Sequence, residues 1–335
     1  MSGFVKLLLA LLLLLAVPIG AAPGKATAFE RVTINGNPYV RVGDWAKASQ
    51  LDLTWMRLGK TAKLANQNVS VVLTDDSKLM LVNGVGVWTS YPVVMRDGKV
   101  FISTVDLKAA VVPLFSPPRH PTTIRTVALD PGHGGRDRGF YKGSLFEKNL
   151  TLMLAQEVRT QLVKSGLKVV LTRTTDTYVE RADRPALAHE RQADLFVSLH
   201  FNSAGEAGTE PHGVETYCAS PVGTRSTNVR GNSGNTGPVP GNLFNGQNLV
   251  LAYLLQRSLV KSLGWEDRGV RRARWEVLCQ AEMPAALVEA GFLSNPQEGS
   301  RIADPVYRRK MAKAIAEGIL AYKRSVEPRS TSRAN

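Results

Sequence analysis

A proline-rich break near the middle of the chain separates two stretches with different apolar patterns. Residues 116–121, Ser-Pro-Pro-Arg-His-Pro, contain three prolines, and proline fits neither a helix interior nor a central strand. Residues 29–115 alternate short apolar runs with turn signals such as Asn35-Gly36, which is typical of β-hairpins. From Thr126 onward, short apolar runs alternate with longer segments of helical periodicity. The pattern therefore predicts a linker over residues 116–122 between domains of two different classes.

The stretch after the linker predicts an α/β domain over residues 123–325. Short apolar runs predict strands, among them 127–129, 195–199, 275–278 and 286–288. A helix is predicted over 149–165, because apolar residues recur every four positions along it. Strands that alternate with helices form a mostly parallel sheet with helices on both faces. The predicted fold is α/β with such a sheet, preceded by a small β-rich domain over 29–115 and followed by a polar tail over 326–335.

The first 28 residues predict an export signal. An apolar run over residues 4–17 contains Lys6 near its start and is followed by small residues, which is typical of a secretory signal peptide. Cleavage could follow Ala22 or the Ala-Thr-Ala of 26–28, and an uncleaved anchor is the alternative. The run is shorter than the roughly 20 residues that a membrane-spanning helix needs. We therefore expect an exported protein without a stable membrane span, located in the periplasm or outside the cell in the wall.

The charge of the chain bears on its partners. Lys and Arg number 42 against 28 Asp and Glu, a formal net charge of +14. For an exported protein this favours contact with an anionic wall polymer or a membrane surface, although the charge could equally serve solubility. The sequence contains no nucleic-acid-binding motif, so nucleic acid is not expected as a partner.

Two cysteines, Cys218 and Cys279, lie at the ends of predicted strands. An oxidising compartment would allow a single disulfide between them. Two buried free thiols are the alternative, because a sequence does not give the distance between the two Cα atoms.

Four residues suited to hydrolytic chemistry follow predicted strands or begin a helix. His133 follows the strand at 127–129, His200 ends the strand at 195–199, Glu289 ends the strand at 286–288, and Glu147 begins a helix. Ligands of parallel sheets bind beyond the carboxyl ends of the strands, so all four side chains are expected at one rim. Singly, each has a structural explanation: a turn or core histidine, a helix N-terminal charge, or a paired buried acid. Together they predict a catalytic zinc site.

The predicted roles follow from zinc chemistry. His133, Glu147 and His200 would bind Zn²⁺, which lowers the pKa of bound water to about 7 and polarises a carbonyl. Glu289 would take the proton of that water and pass it to the leaving amine. His212 precedes a strand and could be a reserve ligand or a substrate contact, but also a solvated loop histidine.

The same residues lie in motifs that resemble a known family, the zinc-dependent N-acetylmuramoyl-L-alanine amidases of bacterial cell walls. The resemblance runs in order through residues 129–135 (LDPGHGG), 147–149 (EKN), 171–174 (LTRT), 193–202 (ADLFVSLHFN), 268–271 (RGVR) and 284–295 (PAALVEAGFLSN). It implies zinc bound by His133, Glu147 and His200, with Glu289 essential to catalysis. The implied reaction is hydrolysis of the amide between N-acetylmuramic acid and L-alanine in peptidoglycan. Asn202, Arg268 and Arg271 lie in matching segments and are expected to contact substrate.

Residues 29–115 are similar to the copper amine oxidase-like N-terminal domains of exported bacterial proteins. The resemblance lies in the segments NGNPYV, DWAKAS and RDGKVFISTVDL. Copper is not implied here, because residues 29–115 contain neither His nor Cys. This domain is expected either to hold the enzyme on the wall or on a regulatory protein, or to act as a spacer.

Two other functions are compatible with the sequence. A zinc peptidase that cuts within the stem peptide would use the same site chemistry. A wall-binding or regulatory protein on an inactive amidase fold would need no chemistry at all. The presence of all four chemical residues favours an active amidase.

Overall fold

A computed structural model describes residues 29–205, 208–227 and 235–327. The predicted signal at 1–28 lies outside the described residues, as does the predicted tail from residue 328 onward. Within the described ranges, no helix has the length and apolar character needed to cross a bilayer.

The first region, residues 29–115, is rich in β-structure, as predicted. Its strands are β1 (Arg31–Ile34), β2 (Asn37–Arg41), β3 (Asp52–Arg57), β4 (Thr61–Ala65), β5 (Ser70–Thr74), β6 (Leu79–Val82), β7 (Val85–Trp88), β8 (Val94–Arg96) and β9 (Lys99–Ser103). Its helical segments are α1 (Val42–Ala48), α2 (Thr104–Asp106), a π-helical turn (Leu107–Val111) and α3 (Val112–Phe115). Ser103 caps the N-terminus of α2, since its side chain accepts the Asp106 N–H. Strands β1, β2, β9 and β8 form a separate small sheet.

The second region alternates strands and helices. Its strands are β10 (Thr126–Pro131), β11 (Tyr141–Lys142), β12 (Leu145–Phe146), β13 (Lys168–Leu171), β14 (Leu195–Asn202), β15 (Val214–Ala219), β16 (Asp267–Ala273) and β17 (Ala285–Phe292). Its helices are α4 (Glu147–Lys164), α5 (Asp183–Glu190), a 3-10 turn (Pro240–Phe244), α6 (Asn245–Leu263), α7 (Glu276–Cys279), α8 (Pro296–Ala303) and α9 (Pro305–Val326). Gly264 ends α6 in the left-handed conformation that favours glycine.

The sheet of the second region is mostly parallel and buried on both faces, which confirms the predicted fold class. Strands β13, β10, β14 and β17 are mutually parallel, β15 runs antiparallel to β17, and β16 is parallel to β15. Side chains of β10 point alternately to opposite faces of the sheet, and each face packs in a different hydrophobic core. Val127 and Leu129 belong to the large core with residues of α4, α6 and α9, whereas Ala128 packs with Ala188 of α5 and Leu278 of α7.

The two regions share one sheet, which the sequence did not indicate. Strand β7 pairs in parallel with β16 at Val87 and Val270, so strands β3–β7 extend the sheet to 11 strands. The buried Arg272 reinforces the junction, because its Nη2 donates to the Ala109 carbonyl at 2.8 Å. Residues 116–122 contain neither helix nor strand. The domain boundaries inferred from the sequence stay a prediction.

Two expectations about the chain near residue 275 were wrong. The predicted strand at 275–278 is the short helix α7, in which the Cys279 N–H donates to the Trp275 carbonyl at 2.9 Å. A four-residue apolar run does not distinguish a strand from one buried helical turn. The strand of this part of the chain is β16 instead, whose three arginines hide the apolar alternation of a strand. Cys218 and Cys279 are both buried free thiols, so the disulfide alternative is also wrong.

Candidate active site

His133 is held by the turn that follows β10. Its backbone adopts φ 62°, a left-handed conformation that is unfavourable for residues other than glycine. Arg184 stabilises this turn, because its Nη2 donates to the His133 carbonyl at 3.0 Å. On the imidazole, Nδ1 lies 2.9 Å from Asp137 Oδ1 and Nε2 lies 3.0 Å from Glu147 Oε1. The ring orientation is therefore fixed from both sides.

Glu147 and His200 complete a cluster of three metal-binding groups. Glu147 is the first residue of α4, and its carboxylate accepts the N–H groups of Phe140 at 2.9 Å and Phe201 at 3.1 Å. His200 Nδ1 lies 3.1 Å from Glu147 Oε1. One ligand atom from each of His133, Glu147 and His200 lies within 4.8 Å of the others. Two imidazoles and one carboxylate at this spacing suit a catalytic zinc ion.

Glu147 is held in the ionised form that a cation site requires, whereas His133 favours its protonated form. Burial alone would raise the pKa of Glu147, but hydrogen bonds and charge interactions with His133 and His200 hold it well below the usual range. Burial works to lower the pKa of His133, and the contacts with Glu147 and Asp137 raise it above its ordinary value instead. Metal binding needs an ionised carboxylate and neutral imidazoles, so a metal ion would displace the proton that His133 tends to hold.

Two glycines give the cluster its space. A Cβ on Gly132 would lie 2.2 Å from His200 Cε1, and a Cβ on Gly139 would lie 2.5 Å from Glu147 Oε2. Neither approach is compatible with any side chain. The glycines therefore allow the backbone to pass directly against the two ligand groups.

Glu289 lies beside this cluster on β17. Its backbone is in register with His200 on one side and Glu215 on the other. The Oε2 atom of Glu289 is buried and has no hydrogen-bond partner among the described residues. Burial, reinforced by the charges of Glu147 and Glu215, raises the pKa of Glu289 well above its ordinary value. Glu289 lines a cavity of about 420 Å³ together with His133 and His200. A carboxyl group with these properties is suited to proton transfer.

The three expected substrate-contact residues gather around Glu215, a residue that sequence reasoning missed. Glu215 accepts the Asn202 Nδ2 hydrogen bond at 2.6 Å, and its Oε2 lies 3.2 Å from Arg268 Nε and 2.8 Å from Arg271 Nε. Tyr217 O–H also donates to Glu215, at 2.7 Å. These groups line a second cavity of about 300 Å³, which shares Glu289 and Trp275 with the first. Glu289 therefore lies between two adjoining cavities.

Sequence reasoning also missed the buried clamp beneath the cluster. Asp130, which is fully buried, accepts hydrogen bonds from Arg184 Nη1 at 2.8 Å, Thr172 Oγ1 at 2.6 Å and Ser198 Oγ at 2.7 Å. Arg173 donates to the carbonyl of Pro131 at 3.0 Å and to that of Gly132 at 2.9 Å. The turn that carries His133 is thus anchored by two arginines. Arg173 lies in one of the family-like motifs, but nothing in its local pattern indicates this contact.

Other predicted residues lie apart from the cluster. His212 is exposed, with Nε2 at 3.0 Å from Glu266 Oε2, and does not join the metal-binding group. This arrangement is that of a loop histidine.

Comparison with protein-family models gives two matches. Residues 127–321 match the model described as N-acetylmuramoyl-L-alanine amidase. Residues 24–111 match the model described as copper amine oxidase N-terminal domain. The first match spans every residue of the cluster and both cavities described above.

Two of the similar proteins are named N-acetylmuramoyl-L-alanine amidases. The chain is 34% identical over 206 residues to the N-acetylmuramoyl-L-alanine amidase LytC of Bacillus subtilis, which covers 62% of this chain and 37% of LytC. It is 32% identical over 221 residues to the N-acetylmuramoyl-L-alanine amidase AmiA of Escherichia coli, covering 59% of this chain and 76% of AmiA. The chain thus spans little more than a third of the length of LytC.

Solved structures agree with the sequence relatives. An N-acetylmuramoyl-L-alanine amidase from Clostridium difficile 630 matches with a TM-score of 0.50 and 32% identity, covering 60% of this chain and 97% of that one. AmiC2 of Nostoc punctiforme, an N-acetylmuramoyl-L-alanine amidase, also matches with a TM-score of 0.50 and 32% identity, covering 59% and 96%.

Proposed function

The chain belongs to the N-acetylmuramoyl-L-alanine amidase family, and we propose that it hydrolyses peptidoglycan at the amide between N-acetylmuramic acid and L-alanine of the stem peptide. The observation that carries this proposal is the convergence of His133, Glu147 and His200, whose ligand atoms lie within 4.8 Å of one another, beside the buried carboxyl group of Glu289. A metal-binding set with a neighbouring proton carrier is what metal-assisted amide hydrolysis requires.

We propose zinc as the metal. His133, Glu147 and His200 would hold it, since two imidazole nitrogens and one carboxylate oxygen are a ligand set of catalytic zinc sites with an open position. When bound, zinc polarises a carbonyl and lowers the pKa of water to about 7. Asp137 would support the site, because its carboxylate lies 2.9 Å from His133 Nδ1 and leaves Nε2 for the metal.

Glu289 is the proposed proton carrier. Because its pKa is raised by burial, the carboxylate of Glu289 binds a proton more readily than an ordinary surface glutamate. It would accept a proton from the attacking water and deliver it to the nitrogen of the departing L-alanine. Such a transfer uses the same group first as base and then as acid.

The second cavity is the proposed binding place of the substrate portion that flanks the scissile amide. Asn202, Arg268 and Arg271 present an amide and two guanidinium groups there, ordered by Glu215. Guanidinium groups favour carboxylate and carbonyl oxygens, both of which a stem peptide carries. Glu289 lies between the two cavities, so a substrate extending through both would place its central amide beside the metal site.

The proposed place of action is outside the cytoplasm, in the periplasm or the cell wall, with peptidoglycan as the partner. The apolar run at 4–17 and the net charge of +14 support export and attraction to an anionic polymer. A wall or regulatory protein that binds through the first region stays a prediction.

Digestion of purified peptidoglycan tests the proposal. We expect the zinc-loaded protein to release stem peptides with free N-terminal L-alanine, chelator to stop the release, and added zinc to restore it. Glu289→Ala should remove the activity, whereas His189→Ala, which changes an exposed histidine outside the cluster, should not. Mass spectrometry identifies the products. New amino termini within the stem peptide would identify a peptidase instead, and absence of any product would favour an inactive wall-binding protein.

A further inference from the structure

The strand that joins the two regions contacts the arginines of the second cavity directly. Strand β7 lies beside β16, which carries Arg268 and Arg271. The indole Nε1 of Trp88 donates to the Arg268 carbonyl at 3.0 Å. The guanidinium carbon of Arg271 lies 4.8 Å from the centroid of the Trp88 ring. One residue of the first region thus contacts two residues expected to bind substrate.

The backbone at this junction has the features of a close-fitting contact. Gly269 lies between the two arginines with φ +84°, and a Cβ there would approach the Gly86 carbonyl oxygen to 2.9 Å and Trp88 Cδ1 to 3.1 Å. Asp267 Oδ2 accepts the Gly86 N–H at 2.7 Å. A glycine at the closest point and a carboxylate on a backbone amide keep the two strands in fixed register.

Arg271 is held between the two regions. Its Nε lies 2.8 Å from Glu215 Oε2 on one side, and its guanidinium group lies over Trp88 on the other. Arg268 has the equivalent arrangement within the second region alone, over the ring of Phe292 at 4.8 Å. The two arginines of the cavity therefore each rest on an aromatic ring, and only that of Arg271 comes from residues 29–115.

We propose that Trp88 is a positioning residue for the substrate cavity, so that the first region builds part of the active site. This inference rests on the proposed function. An arginine side chain has many rotamers, and an indole face restricts them before substrate arrives. Cation–π attraction is strongest for tryptophan. Trp88 also holds the Arg268 backbone through its Nε1 hydrogen bond, and Arg268 and Arg271 both line the second cavity. Trp88 lines neither cavity, so it would act through the two arginines and change substrate affinity rather than the chemical step.

Steady-state kinetics on a soluble muropeptide, with the full-length zinc-loaded protein, test this inference. We expect Trp88→Ala to raise KM about three- to thirtyfold with kcat within about twofold of wild type, from the range of cation–π energies. Trp88→Phe keeps a ring face beneath Arg271 and should recover most of the affinity. Trp55→Ala is the matched control, because Trp55 packs on the core of the same region from β3, which four strands separate from β16.

A double-mutant cycle isolates the contact itself. If Trp88 acts through Arg271, Trp88→Ala should change KM by less than about twofold in an Arg271→Ala background. Additive effects of the two changes would overturn the inference, as would equal losses in Trp88→Ala and Trp55→Ala. Should Trp88→Ala fail to fold, Trp88→Leu, which keeps apolar volume but has no ring face for Arg271, takes its place in the same cycle. Inactivity of the wild type would instead contradict the proposed function.

Discussion

The two ends of the shared sheet bury different kinds of residue. The core under β3–β7 is apolar, with Leu64, Leu73 and Met80 fully buried, and Asp106 is the buried charged residue of positions 29–115. The described part of the other end buries many more charges: Asp130, Glu147, Arg173, Arg184, Glu215, Arg272, Glu298 and Arg308. A buried charge costs free energy unless it is paired and hydrogen-bonded. The comparison shows that apolar burial stabilises one end of the sheet. The other end also buries charged groups at a cost in free energy, and some of them, such as Arg184, hold the metal-binding cluster in place.

Breaking the Asp130–Arg184 pair should give the largest stability difference between the two ends. Arg184→Ala would leave Asp130 charged and fully buried, and would remove the donor to the His133 carbonyl. We expect the free energy of unfolding to fall by about 3–5 kcal/mol. Urea denaturation followed by circular dichroism measures it, with Arg159→Ala on the exposed face of α4 as control. A loss below about 1 kcal/mol would show that the contacts of Arg184 with Asp130 and the His133 carbonyl do not stabilise the fold.

Glu289→Gln should have the second largest effect on the free energy of unfolding, and it should stabilise the protein rather than destabilise it. The pKa of Glu289 in the folded state lies above its ordinary value of 4.5, so the folded protein keeps a proton that the unfolded chain releases. Stability of the chelator-treated wild type should therefore fall as pH rises above about 4.5, whereas the neutral glutamine lacks this slope. We expect the variant to be more stable than the wild type at neutral pH while losing activity.

Urea unfolding of both chelator-treated proteins between about pH 5 and pH 8 measures the difference in slope. Parallel pH profiles, or a variant that is less stable than wild type at neutral pH, would show that Glu289 is not a strained buried acid.

The smallest effect is expected in the first region, at the small sheet that lies apart from the shared one. Lys99 Nζ lies 3.0 Å from Glu30 Oε1, and both side chains are more than a third exposed, at 37% and 36%. Solvent screens such a pair, so Lys99→Ala should change the free energy of unfolding by less than about 1 kcal/mol. Added salt should reduce even this difference. A loss above about 2 kcal/mol would mean that charge pairs stabilise both regions alike.

The apolar periodicity of the sequence predicted individual helices and strands of the second region correctly. The helix expected at 149–165 is α4, and the strand expected at 195–199 lies within β14. That His133 and His200 lie at one edge of the sheet could be foreseen without the strand order, because parallel strands end at the same edge. Their proximity depends on the pairing of β10 with β14, which the sequence did not give. The resemblance to the amidase family is confirmed by the family match. The metal-binding and catalytic roles of individual residues stay predictions.

The groups that the sequence did not reveal depend on long-range pairing. Asp130 and Arg184 are 54 residues apart, and Glu215 and Arg268 are 53 apart. An isolated arginine or glutamate near a strand looks the same whether it faces solvent or a buried partner. Similarly, the pairing of β7 with β16 joins residues more than 180 positions apart, and no local period encodes it.

The β7–β16 pairing has a consequence for solubility. An uncovered outer strand offers a row of free amides and carbonyls, on which a second molecule can add its own strand. In this chain β16 has β15 on one side and β7 on the other, and the row ends only at β3, four strands further out. There Asp52 and Arg57 bring charge to an exposed strand, a common means of discouraging self-association. The first region therefore places this unpaired edge of the sheet at β3, away from the two cavities.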